Sequence, residues 1–364
     1  MTALLTRRAL NRATLARQML LSRWRLTVPE AIERLVGLQA QTPHTWYVGL
    51  WARLAGLRPE PVADLLVSRE LVRIALMRST IHLVTARDAL ALRPLVQPVL
   101  ERSMTSNFGR HLIGLDRDEL VAAGRAAVDA QPLTFSELGR VLAERWPERD
   151  AASLAQAVRA WVPLVQVPPR GVWGASGQAR HTSIEAWLGR SVTAEPDVDD
   201  TVLRYLAAFG PATVRDVQTW SGLTRLGEVV DRLRPRLATF GDEHGHELFD
   251  LPDAPRPDPD TPAPARFLYD FDNLLLSHAD RGRVITDEAR QQEFPDGVMP
   301  ATFLVDGFTR GTWTVARQRG AATLTIRPFS RLSTADAEAV TAEGRELLSF
   351  VAADAAHDVR VLVG

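Results

Sequence analysis

Residues 201–251 read TVLRYLAAFGPATVRDVQTWSGLTRLGEVVDRLRPRLATFGDEHGHELFDL. Val202, Leu203, Leu206 and Phe209 form one apolar helical stripe that stops at Gly210-Pro211. Thr213 then predicts the N-cap of a second helix. Leu226, Val229, Val230 and Leu233 recur at i, i+3, i+4, i+7 and predict a third. Leu237 to Phe240, a Gly-rich turn and Glu247 to Leu251 predict two short strands. Three helices followed by a hairpin are the grammar of a winged helix.

The same grammar occurs twice more upstream. A middle copy begins near Asp118; its second helix opens with the capping box Thr134-Phe135-Ser136-Glu137, and its wing reads Leu164-Val165-Gln166-Val167, Pro-Pro-Arg-Gly, Val172-Trp173-Gly174. A first copy carries the box Thr27-Val28-Pro29-Glu30, expected to open its second helix, and ends in a strand-like Arg78 to Val84. Downstream, the proline-rich stretch Leu251 to Pro264 predicts an extended connector. Beyond it, Phe267 to Leu276, Arg283 to Ile285, Phe303 to Val305, Thr312 to Ala316 and Ala322 to Ile326 predict strands, and Thr334 to about Ala353 a closing helix. The expected fold is α+β: tandem winged-helix (helix-turn-helix) units at 1–110, 111–195 and 196–260, then a small β-rich domain with a terminal helix at 261–364.

Composition removes several chemistries. The 364-residue chain has no Cys, which excludes disulfides, thiolate zinc sites, iron–sulfur clusters and cysteine nucleophiles. It has no Lys either, so Schiff-base chemistry on a side-chain amine and a P-loop lysine are absent. The eight His show no metal-site spacing, and His244 with His246 sits in a wing turn. The Gly-rich run near Gly171 lacks the following helix of a dinucleotide fingerprint, so no metal and no cofactor are expected. No apolar run is long enough to span a bilayer, and the first residues lack the charge order of a secretory leader. The expectation is a cytoplasmic, monomeric protein without membrane partners.

Net charge is −1, yet residues 1–110 hold 16 Arg against 7 acids. That basic half is the expected phosphate-facing surface, with a solvated, salt-laced face as the alternative.

Leu38-Gln39-Ala40-Gln41-Thr42-Pro43-His44 follows the stripe Ile32, Leu35, Val36. Gly37 and Pro43 draw this segment out of the helix. On a helix, residues two apart point about 200° apart; in extended chain Gln39 and Gln41 share a face. Two neutral amides on one side can hold a water and a ligand together, or they can cap a turn. In Met77 to Val84, alternation would set Arg78, Thr80 and His82 on one polar wall, either an ordinary edge strand or a contact to phosphate or base. Tyr269 to Asn273 and Ser277 to Arg283 form either an Asx-type turn with a solvated loop or an Arg-rich hairpin meeting DNA.

Five ordered blocks carry a resemblance: Leu38 to Gln41, Leu50 to Arg53, Arg78 to Leu83, Tyr205 to Thr213, and Phe271 to His278. Together they resemble the bacterial winged-helix DNA glycosylases of the AlkZ and YcaQ type over nearly the whole chain. In that family the catalytic motif is Gln, an apolar residue, then Gln or Asp; the resemblance implies catalytic roles for Gln39 and Gln41. It implies a monofunctional glycosylase that hydrolyses the N-glycosidic bond of bulky N7-alkylguanines in double-stranded DNA and unhooks interstrand crosslinks in some members, for repair or for self-resistance to a DNA-alkylating natural product. The expected DNA contacts are Arg53, Arg78, Thr80, His82, His278, Arg281 and Arg283. A non-catalytic winged-helix transcriptional regulator and a protein-interaction scaffold are the competing readings.

Overall fold

The computed structural model describes residues 3–294 and 300–362. The 201–251 segment folds as its spacing predicts. Helix Val198–Phe209 ends at Gly210, and Thr213 with Asp216 forms a complete capping box on Val214–Ser221. Gly222, at φ +80°, ends that helix in the left-handed conformation only glycine adopts freely. Helix Leu226–Leu233 and the antiparallel strands Ala238–Asp242 and Glu247–Asp250 follow, while Ala212, between the first two helices, bridges Phe249.

The middle unit repeats this plan. Helices Arg117–Ala130, Phe135–Arg145 and Ala151–Trp161 are followed by strands Leu164–Gln166 and His181–Ser183, and Leu133 bridges His181. Its second strand lies well beyond the predicted Val172–Gly174. Those residues belong instead to a long loop that docks on the first unit: Tyr47 donates to the Gly171 carbonyl at 3.0 Å and packs at a tilt against Trp173, ring centroids 4.9 Å apart.

The first unit departs most from expectation. Thr27 and Glu30 do form a capping box, but on Val28–Arg34, which precedes strand Leu38–Gln39 and so corresponds to the first helix of the other units. Helices Trp46–Trp51 and Pro59–Val67 and strands Leu71–Ala75 and Ile81–Thr85 complete it. The earlier helix Arg7–Arg17 packs on Val198–Phe209 of the third unit, and strand Leu4–Leu5 joins that unit's hairpin in parallel. Helices Ala86–Leu95 and Gln97–Phe108 lead into the middle unit.

One five-stranded antiparallel sheet fuses the first two units, in the order Leu38–Gln39, Ile81–Thr85, Leu71–Ala75, Leu164–Gln166, His181–Ser183. The middle unit otherwise keeps its own core around Leu120, Leu138, Leu154 and Val158, whereas one continuous core joins the first unit, the third and the C-terminal part.

The connector 251–264 holds no helix or strand, but it turns at Leu251–Ala254 and Asp258–Thr261 where an extended run was expected, and arginines of the first helix strap it down. Arg8, Arg12 and Arg17 donate to the carbonyls of Pro259, Thr261 and Pro255. The C-terminal sheet contains Thr302–Val305, Phe308–Gln318 and Ala321–Pro328, flanked by Arg266–Phe267 and by Ala356–Val361. The last strand was not anticipated; helix Thr334–Val351 returns the chain so that it pairs in parallel with Ala321–Pro328. The predicted strands Phe267–Leu276 and Arg283–Ile285 are absent apart from Arg266–Phe267. Their apolar runs are buried in irregular chain, with a single 3-10 turn at Asn273–Leu275.

Part of the N-terminal arginine excess is taken up inside the molecule. Arg12, Arg17, Arg53, Arg73 and Arg93 are at most 1% exposed. Several N-terminal arginines find acidic partners far along the chain: Asp306 for Arg8 and Arg12, Asp250 for Arg17, Glu343 for Arg23, Asp272 for Arg53; Arg73 and Arg93 bond instead to the carbonyls of Ala40 and Ala160. Part of the asymmetry of charge along the sequence is thus a record of long-range pairing, while Arg25, Arg58, Arg69, Arg87, Arg102 and Arg110 stay exposed, so the expected basic face is reduced and not removed.

Candidate active site

The chain leaves helix Val28–Arg34 through two left-handed residues, Val36 at φ +53° and Gly37 at φ +86°. A Cβ on Gly37 would come within 2.6 Å of Val84 Cγ1, so the close crossing over the Ile81–Thr85 strand requires glycine. Leu38 and Gln39 then pair with Leu83 and His82, and the Ala40 amide donates to Ile81 O at 2.7 Å. The extended path predicted for this segment is therefore present up to Ala40; the chain bends from Gln41.

Gln39 is only 4% exposed, whereas Gln41 is exposed. Arg78 Nη2 donates to Gln39 Oε1 at 2.7 Å, and the Ile81 amide donates to Gln41 Oε1 at 3.2 Å. Each carbonyl is thus occupied as an acceptor. Neither Nε2 makes a hydrogen bond to the described residues. Because the donors fix which end of each amide is oxygen, the NH₂ ends are the ones left to a ligand.

The outer edge of the Leu38–Gln39 strand is covered by the 269–273 segment. Asn273 donates to Gly37 O at 2.7 Å and accepts from Gln39 N at 3.3 Å, as a neighbouring peptide would. Tyr269 donates to Gln39 O at 2.9 Å, and Thr42 donates to Asp270 at 2.5 Å. From the other side Arg73 donates to Ala40 O at 2.7 Å. The Tyr269 to Asn273 run was read from the sequence as an Asx-type turn or part of a DNA-meeting hairpin, and its place against Gln39 was not foreseen. Arg73 was missed; its signal was a lone charge inside the apolar strand Leu71–Ala75.

Arg78 does not lie on a strand. Met77–Ser79 is a 3-10 turn, with Arg78 at φ +54° and Ser79 at φ +60°. Left-handed geometry at a non-glycine residue costs about 1–2 kcal/mol, so surrounding contacts must hold it. The polar wall of Arg78, Thr80 and His82 is not formed. Thr80 is half-buried and donates to Met77 O. His82 is fully buried; burial pushes its imidazole down to about 3, so it is neutral and unable to carry a proton at neutral pH.

Three other expected DNA contacts, Arg53, His278 and Arg283, are corrected in the same way. Arg53 is 0% exposed and grips Asp272 through two bonds of 2.7 and 2.8 Å. His278 faces Phe209 O at 3.0 Å, and Arg283 donates to Pro211 O at 2.9 Å, both buried. These side chains belong to the core because tertiary structure supplies each with an acceptor at a depth water does not reach. Arg281 remains exposed, close enough to Arg78 for their charges to oppose one another.

Among the described residues no group of His, Asp and Glu has the arrangement of a metal site. No helix there is long and apolar enough to cross a membrane. Comparison with known proteins gives two findings. A family model described as DNA glycosylase AlkZ-like matches residues 32–350. The solved structure of the Streptomyces sahachiroi DNA glycosylase AlkZ is similar over 100% of both chains, with a TM-score of 0.78 at 22% sequence identity. No curated protein matches.

Proposed function

We propose that this chain, which belongs to the AlkZ-like DNA glycosylase family and is a DNA glycosylase, hydrolyses bulky N7-alkylguanine from duplex DNA using Gln39 and Gln41. The observation that carries this reading is the pair of amides whose oxygens are occupied and whose NH₂ ends are free. We also read the three helical units as winged helices, on the shared order of helices, bridge and hairpin.

N7 alkylation makes the base cationic, so the C1′–N9 bond breaks with its electron pair passing to a base that departs neutral. The sugar acquires oxocarbenium character, water adds at C1′, and its proton passes to solvent. An amide is a poor general base, and such a leaving group does not need one. What remains is to hold the water and favour the charged sugar, which positioned donors and dipoles do. Gln39 is the buried member of the pair and Gln41 the exposed one. A pair with one exposed member suits a lesion whose bulk, or whose attachment to the opposite strand, resists full extrusion of the nucleotide, and crosslink unhooking and self-resistance fit it on that ground. With no Lys, the reaction ends at an intact strand carrying an abasic site.

The test is mass spectrometry of bases released from DNA treated with a panel of alkylating agents, alongside Gln39→Ala and Gln41→Ala. Release of N7-alkylguanine, with strands breaking only after alkali and a rate loss on the order of 10²–10³ in each variant, supports the reading. Salt-sensitive binding without release would make the protein a non-catalytic DNA binder, the regulator reading.

A further inference from the structure

Three units meet at the Met77–Thr80 turn. Arg78 sends Nη2 to Gln39 Oε1 and Nη1 to the Trp220 carbonyl at 2.6 Å, on the second helix of the third unit. Its neighbour Ser79 is gripped from the middle unit: Arg159 donates to Ser79 O at 2.7 Å and to Ser79 Oγ at 3.2 Å. Gly222 closes against the turn, since a Cβ there would lie 3.5 Å from Arg78 N and 2.8 Å from Val99 Cγ1. Both turn residues are left-handed and neither is glycine, so the conformation persists because these contacts over-determine it.

We infer that Arg78 is a positioning residue that orients the Gln39 amide, and that the middle and third units, through Arg159 and Trp220, hold the turn from which it acts. The inference rests on the catalytic reading of Gln39. Its physical basis is the amide's two-fold ambiguity: a free Gln can present either end to a ligand. A guanidinium nitrogen against Oε1 forbids the flipped state, because NH₂ would then face N–H. The same guanidinium is anchored to a backbone carbonyl, so the amide is registered against the third unit. Arg159 gives the middle unit a role in the reaction without touching the substrate.

The experiment is single-turnover base release by Arg78→Ala, Arg78→Lys, Arg159→Met, Gln39→Ala and the Arg78→Ala/Gln39→Ala double variant, with DNA affinity at several salt concentrations and melting temperature measured for each. We expect Arg78→Ala to lower the maximal rate roughly 10- to 100-fold with affinity and its salt dependence nearly unchanged. Arg159→Met should lower it roughly 3- to 10-fold. In the Gln39→Ala background the Arg78 substitution should cost little more, since the group it orients is gone. Arg78→Lys covers the case in which the alanine variant does not fold: it keeps the charge but offers one nitrogen where two are required, and it should be slow while binding normally. Full activity of Arg78→Lys, a loss confined to affinity, or additive losses in the double variant would overturn the inference and make Arg78 a DNA contact. Full activity of Gln39→Ala would instead overturn the catalytic reading.

Discussion

In the second and third units the residue that bridges to the hairpin is followed at once by a helix cap: Leu133 by Thr134, Ala212 by Thr213. Both threonines form complete capping boxes, with Glu137 and Asp216. In the first unit Gln39 occupies the bridging position, but the next helix starts only at Trp46, and its N-cap, Thr45, makes no side-chain bond. Between them lie Ala40 to His44. The same node of the fold is used in two ways. Where the turn is minimal, its polar groups are spent on orphan helix amides and contribute stability. Where it is lengthened, two side-chain amides stay available for a ligand.

The register sharpens the correspondence. Gln39 faces His82, which faces Ile74; Leu133 faces His181, which faces Gln166; Ala212 faces Phe249, which faces Thr239. Two histidines and a phenylalanine thus share one structural position, all three buried. A residue type that suggests chemistry in one unit is a packing group in the next, and position alone does not assign it a role.

The largest effect that can test this contrast is expected at Gln39. Gln39→Glu keeps an oxygen for Arg78 but removes both amide hydrogens. If the free NH₂ is what the lengthened turn provides, the excision rate should fall by about 10²-fold or more while the melting temperature holds. Retention of activity would show that the acceptor matters instead, and would break the distinction between the units.

A smaller effect is expected at the caps. Thr134→Ala and Thr213→Ala should each lower stability by about 1 kcal/mol in denaturant unfolding and leave the excision rate of the folded protein unchanged. A loss of rate without loss of stability in either variant would place function in a turn described here as purely structural.

The smallest effect concerns pH. Burial holds His181 down to about 4 and His82 down to about 3 in the folded chain, against 6.5 when exposed. The unfolded state therefore takes up protons first as pH falls. Stability carried by the neutral rings is complete above about 6.5 and declines as pH drops from there toward 4. Replacing His181 by the residue found at the same position of the third unit, His181→Phe, should flatten the fall of melting temperature between pH 7 and pH 5 without altering base release. An unchanged acid limb would mean that His181 does not contribute to it.

Much of this was legible in the sequence. Helix stripes at Val202 to Phe209 and Leu226 to Leu233, the boxes at Thr27 and Thr134 and the cap at Thr213 depend on neighbours three or four residues away, so local spacing determines them. Gly37 likewise marked the place where the chain leaves helix Val28–Arg34 ahead of Gln39. The absence of Cys and Lys settled which nucleophiles the chain lacks. What only the tertiary structure decided is who meets whom. Arg53 and Asp272 are separated by 219 residues, Arg17 and Asp250 by 233, and no local pattern distinguishes an arginine that will face phosphate from one that will be buried against a distant carboxylate. The same holds for Arg78. Its alternation with Thr80 and His82 predicted a strand, but contacts from Trp220 and Arg159 hold a left-handed turn that local preference opposes, and that turn directs its guanidinium to Gln39.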